Sequence, residues 1–138
     1  MTSGQIEAMA SEVVNRFLQQ AMGRGPTSVN ATLLPRGLVV RMSGVLTPAE
    51  ACLTRRDQAD PAQAEAIVRE MRDRIVRASR LEITRSLRAA IGRQASAVLH
   101  DLDPASGEEV MLFTFSADPA EPAGDHGHRP CRDRRTSA

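Results

Sequence analysis

Ile6, Met9, Ala10, Val13, Val14, Phe17, Leu18 and Ala21 recur at intervals of three and four, with Gln5, Glu7, Glu12, Asn15 and Arg16 opposite them. That spacing predicts an amphipathic helix over residues 4–22. Gly23 and Gly25 end it, and Pro26 blocks its continuation. The period then changes to two. Val29, Ala31 and Leu33 alternate with polar neighbours, as do Leu38, Val40 and Met42, so residues 27–34 and 38–45 read as a β-hairpin. Its turn is Leu34–Pro35–Arg36–Gly37, with proline fixing φ and Gly37 supplying a positive-φ position. Gly44–Val45–Leu46–Thr47–Pro48–Ala49–Glu50 carries the strand directly into a helix. Thr47 suits the N-cap, Pro48 the first helical position, and Glu50, three residues after the cap, completes a capping box. This short helix fades near Thr54, and residues 55–59 form a polar connector.

Asp60 followed by Pro61 starts another helix, with Gln63 in the capping-box position. It runs to Ile91, and Gly92 ends it. Ala64, Ile67, Met71, Ile75 and Ala78 share one stripe, while Ile83, Leu87, Ala90 and Ile91 lie on a face rotated by roughly 150°. Either the helix breaks near Ser79–Arg80, or its halves bury against different things. No Gly or Pro interrupts the run, so the expectation is an unbroken helix. One half then packs on the sheet, and the other on a second helix or a second copy of the chain.

Residues 95–102 and 110–116 read as a second hairpin, joined by Asp103–Pro104–Ala105–Ser106–Gly107. Met111, Phe113 and Phe115 share one face of the last strand, and Val110, Leu112 and Thr114 the other. Both are largely apolar, which predicts a strand covered on both sides. The order is helix, hairpin, helix, long helix, hairpin. That is an α+β pattern, a four-stranded and mostly antiparallel sheet packed against helices.

At 138 residues the chain is one domain. Residues 1–117 form the α+β body. Residues 118–138 scatter Pro and Gly among charges and read as a disordered tail. With three Phe, no Trp and no Tyr, the core is aliphatic. A net charge of +1 provides no global field for nucleic acid or anionic lipid. All 18 basic residues are arginine. Cys52 and Cys131 lie far apart and give no disulfide framework. No secretory leader is legible, and no apolar run approaches the roughly 18 residues of a membrane span. A reduced, cytoplasmic setting is the expectation, with any membrane role peripheral to the inner face.

Gly23–Arg24–Gly25–Pro26 and Gly44–Val45–Leu46–Thr47–Pro48–Ala49–Glu50 flank the first hairpin. Downstream come Glu70–Met71–Arg72, Gly92, His100–Asp101–Leu102, Ser106–Gly107–Glu108–Glu109–Val110 and Leu112–Phe113–Thr114–Phe115. In this order and spacing, over about residues 4–116, the chain resembles the MpsC-like family, named for a Na⁺-translocating membrane-potential-generating system. The long helix is richer in Arg and poorer in Glu than the family habit. The resemblance implies a cytoplasmic accessory protein, linked in some members to a membrane system for cation transport and inorganic-carbon supply. It brings no enzymatic activity and no cofactor, and a membrane-protein complex is the partner it implies.

Candidate chemistry is sparse. Gly23–Arg24–Gly25–Pro26 follows a helix and precedes a strand, the reverse of a phosphate-binding loop, so it reads as a C-cap before it reads as an anion site built on Arg24. Thr47, Pro48 and Glu50 are explained by capping. His100, Asp101, Glu108 and Glu109 cluster around the second hairpin, and His100, Asp101 and Glu108 form the one constellation for a ligand-binding or hydrolytic reading. His100 and Asp101 point to opposite sides of a strand, which weakens them as an acid–base pair. His126, His128 and Cys131 lack a fourth ligand, so no metal is expected. Between residues 69 and 93 eight arginines meet three acids. They circle the helix and no aromatics interleave, which disfavours nucleic acid and leaves a solvated face or an acidic or lipid partner. The candidate binding residues are therefore Arg24, Arg72, Arg80 and Asp101. Gly23, Gly25, Pro26, Gly44, Thr47, Pro48, Glu50, Gly92 and Gly107 serve backbone geometry. The expected function is a non-enzymatic, self-associating accessory module, its subunit interface on the Leu87 face of the long helix.

Overall fold

The computed structural model describes residues 1–55 and 59–116. The expected tail, 118–138, with its His126, His128 and Cys131, lies outside the described residues. The elements are α1 (Ser3–Met22), β1 (Ser28–Leu34), β2 (Gly37–Ser43), α2 (Pro48–Leu53), α3 (Pro61–Ala78), α4 (Arg80–Ile91), β3 (Ala95–Asp103) and β4 (Glu108–Phe115). The sheet order is β1-β2-β4-β3, and every neighbouring pair is antiparallel. The last hairpin slots β4 beside β2, so α2, α3 and α4 form the crossover between the two hairpins. All packed helices cover one face of the sheet, and the expected α+β class holds.

Local chemistry explains the ends of the elements. Thr2 caps α1: the Gln5 N–H donates to Thr2 Oγ1 at 3.1 Å, and the Thr2 N–H donates to Gln5 Oε1 at 2.8 Å. The Gly23 N–H closes the last turn on the Gln19 carbonyl. Asp60 caps α3 through the Gln63 N–H. Gly44 has φ 64, and a Cβ there would stand 2.2 Å from Thr27 Oγ1, so both backbone and space demand glycine.

The core lies between the inner sheet face and the helices. Leu38, Val40, Met42, Met111, Phe113 and Phe115 meet Ala10, Val14, Phe17, Leu18, Ile83, Leu87 and Ile91 there.

Five expectations need correction. Gly37 is not among the positive-φ glycines; it is small because a Cβ there would lie 3.1 Å from the Phe113 carbonyl oxygen of β4. The long helix breaks at Ser79 (φ −98°, ψ 9°), and its halves do bury against different things, α3 against β3 and α4 against α1. The buried stripe of α3 is Ala64, Val68, Arg72 and Val76, while Ile67 is 51% exposed. The reading from apolar residues alone missed this stripe because its third position is an arginine. The Leu87 face is not a subunit interface, since Leu87 is fully buried in the core beneath α1. The fifth correction concerns β4, which among the described residues is covered on one side only. Glu109, Met111, Phe113 and Phe115 are buried, and Val110, Leu112 and Thr114 are only partly so.

Candidate functional site

Four ionisable side chains meet inside the domain. Arg72, from the middle of α3, is 1% exposed, Glu50 of α2 is 4% exposed and Glu109 of β4 is 2% exposed. The Arg72 guanidinium donates from Nε to Glu50 Oε2 at 2.8 Å, from Nη2 to Glu50 Oε1 at 2.9 Å, and from Nη1 to Glu109 Oε1 at 3.2 Å. Its Nη2 also donates to the Val45 carbonyl. On the far side Glu109 Oε2 is hydrogen-bonded to His100 Nε2 from β3. The result is a closed line from β3 through β4 and α3 to α2.

Each member is placed by its element's periodicity. Arg72 occupies the i+4 stripe shared with Ala64, Val68 and Val76. Glu109 lies in the inward phase of β4, two residues before Met111. Glu50 is positioned by the capping box. The Thr47 N–H donates to its Oε1 at 2.8 Å while its own N–H donates to Thr47 Oγ1 at 3.2 Å. One carboxylate thus caps α2 and grips α3, and the expected structural role of Thr47, Pro48 and Glu50 is joined to a buried ion pair.

Burial pushes the Glu50 carboxyl up, but the Arg72 guanidinium and the Thr47 backbone N–H outweigh it and hold the group below the usual carboxylate range. Burial likewise works against the charge on Arg72. The Glu50 hydrogen bond, with the charges of Glu109 and Glu50, holds the guanidinium above its ordinary value. No buried side-chain nitrogen or oxygen among the described residues lacks a partner. This cluster is a saturated clasp whose donors and acceptors are spent on one another, and that is what makes a buried charge tolerable.

The remaining candidates are scattered. Arg72 faces the interior. Arg80 reaches the β3 edge, where Nη2 donates to the Ser96 carbonyl at 2.8 Å. Arg24 is exposed in the α1–β1 connection, beside the Gly23 cap and Pro26. Gly25 is small because a Cβ would fall 2.6 Å from Asn15 Oδ1. Gly92 and Gly107 take left-handed backbone after α4 and in the β3–β4 turn. His100, Asp101 and Glu108 do not converge, so the constellation expected for a ligand-binding or hydrolytic role is not assembled. His100 turns inward to Glu109. Asp101 and Glu108 lie on the outer sheet face, where Glu108 pairs with Arg41 at 3.0 Å. Among the described residues no group of three or more His, Cys, Asp or Glu could hold a metal.

Sequence reasoning placed Glu109 in the second-hairpin cluster but missed its burial and its pairing with Arg72. The available signal was a charged residue in the same strand phase as Met111, Phe113 and Phe115, matched by Arg72 in the phase of Val68 and Val76.

The model of the family described as Na⁺-translocating membrane potential-generating system (MpsC) matches residues 2–117. A relative from Bacillus subtilis (strain 168), the uncharacterized protein YbcI, is 24% identical over 117 residues, 85% of this chain and 90% of that protein. No solved structure matches. The matched region takes in every element of the fold and all four members of the clasp, and the chain belongs to the MpsC family.

Proposed function

We propose that this chain is a non-enzymatic accessory component of a Na⁺-translocating membrane potential-generating system, docked on the cytoplasmic side of its membrane complex. Family membership supports the system. Among the described residues no helix is long and apolar enough to cross a membrane. The observation that carries the docking role is how the charges are divided. The buried ones close on each other, while the outer face of α4 presents Leu81, 67% exposed, between the exposed Arg85 and Arg88. Positions 81, 85 and 88 share a helix face. Two guanidiniums around an apolar side chain suit an acidic protein surface.

The test is Na⁺-dependent membrane potential in vesicles from the native host. Vesicles lacking the chain should lose that potential and regain it when purified chain is restored. The Arg85→Glu, Arg88→Glu double variant, folded by circular dichroism, should fail to restore it. An unchanged potential without the chain refutes the accessory role, and full rescue by the double variant refutes docking through α4.

A further inference from the structure

Among the described residues no helix lies on the outer face of the sheet. The register aligns Thr32, Val39, Leu112 and Leu99 in one row across all four strands, and Leu99 is 56% exposed. The next row is Asn30, Arg41, Val110 and Asp101; beyond it lie Ser28, Ser43, Glu108 and Asp103. An apolar band therefore crosses the sheet. On its flank, acids occupy the β3–β4 half, and neutral donors with one arginine occupy the β1–β2 half.

We infer that this face binds the same face of a second copy, about a dyad parallel to the strands. Such a dyad reverses the strand order and preserves position along each strand. Thr32 then faces the partner's Leu99, and Val39 faces its Leu112. In the flanking rows Asn30 faces Asp101, Ser28 faces Asp103, and Ser43 faces Glu108, with Arg41 one row from that same Glu108. Each of these acids meets a donor and the apolar band meets the band, with Arg41 over the partner's Val110 as the one charged–apolar contact, a match that suits a self-complementary interface.

The edges of the sheet are less available for pairing. The Leu33 N–H of β1 donates to Glu7 of α1 at 2.8 Å. On β3 the Leu102 carbonyl accepts from Arg69 Nε at 3.1 Å, and the Ser96 carbonyl accepts from Arg80. Helix side chains blunt both edges, which directs association to the face.

Four strands about 4.8 Å apart and about seven residues long give a flat footprint of about 440 Å² per copy. Two copies with side-chain relief reach about 1,000 Å², the lower end of a specific interface. Residues 117–138 contain no Leu, Ile, Val, Phe or Met, so this chain's own C-terminal segment is a poor cover for the band.

The experiment is sedimentation equilibrium of the full chain up to about 100 µM. The 14.9 kDa mass should double with concentration. Leu99→Glu should keep the parent circular dichroism and stay monomeric. For the geometry, Thr32→Cys and Leu99→Cys proteins, each in a Cys52→Ser, Cys131→Ser background, are mixed and treated with a bismaleimide spanning about 10 Å, the separation of stacked sheets. The mixture should cross-link, and Leu99→Cys alone should not. A constant monomer mass, or a Leu99→Glu protein that dimerises like the parent, overturns the interface. Cross-linking of Leu99→Cys alone as efficient as that of the mixture overturns the dyad.

Discussion

Replacing Arg72 with methionine tests the clasp directly. Methionine keeps an apolar stem in the α3 stripe but removes every donor that Glu50, Glu109 and the Val45 carbonyl receive from the guanidinium. The two carboxylates stay buried without their cation. Breaking a buried pair in this way costs about 3–5 kcal/mol, against about 5–15 kcal/mol for a whole domain. At about 4–5 °C per kcal/mol for a domain of this length, the melting temperature should fall by roughly 12–25 °C. Urea denaturation followed by far-UV circular dichroism measures the loss. The triple variant Glu50→Gln, Arg72→Met, Glu109→Gln separates lost attraction from orphaned charge. It keeps an acceptor at position 50 for the Thr47 N–H and one at position 109 for His100. It should be more stable than Arg72→Met alone, since no ionised carboxylate is left buried. A single variant within about 1 kcal/mol of the parent would show that the carboxylates are solvated and the clasp is not formed. A triple variant no better than the single would show that charge is not the reason for the loss.

Two further outcomes follow from the same geometry. The Glu50 carboxyl lies below its ordinary 4.5 in the folded chain, so its contribution is fully present above that unfolded value and is lost as pH falls through the folded one; urea midpoints should drop below about pH 4.5, and Glu50→Gln should flatten that slope. Gly44→Ala places a Cβ 2.2 Å from Thr27 Oγ1 at φ 64 and should cost about 1–3 kcal/mol by urea denaturation, only partly restored by Thr27→Ala because the Thr27 Oγ1 bond to the Ser43 carbonyl goes with it.

Much of the fold was legible because local rules and long-range packing agree here. α1 shows its period over five turns, the first hairpin has its Pro–Arg turn, and Thr47–Pro48–Glu50 announces α2 in three residues. The break at Ser79 was legible only as one of two readings of the rotated stripe, because no Gly or Pro marks it. The helix turns its buried stripe from β3 toward α1 at that point, and the demand comes from the packed partners. The strand order was hidden, since nothing local in β4 says that it inserts beside β2. Covering β4 on both sides was the natural inference from Val110, Leu112 and Thr114, but those residues form the outer band.

The candidate site went unread for a different reason. Arginines were treated as surface, so the α3 stripe was drawn through Ile67 and Met71, both of which are exposed. Yet period and residue type carry separate information. Ala64, Val68 and Val76 define an interior line whose missing member is position 72, and Met111, Phe113 and Phe115 define another whose missing member is position 109. An arginine on one interior line requires an anion on another, because a lone buried charge is far more costly than a paired one. Glu109 meets that condition. Glu50 meets it from the capping box, where the Thr47 N–H already holds its carboxylate at the end of a helix too short to bury it alone. Two charges in apolar phases on separate elements therefore predict their own contact, and with it a buried tie between α3 and β4.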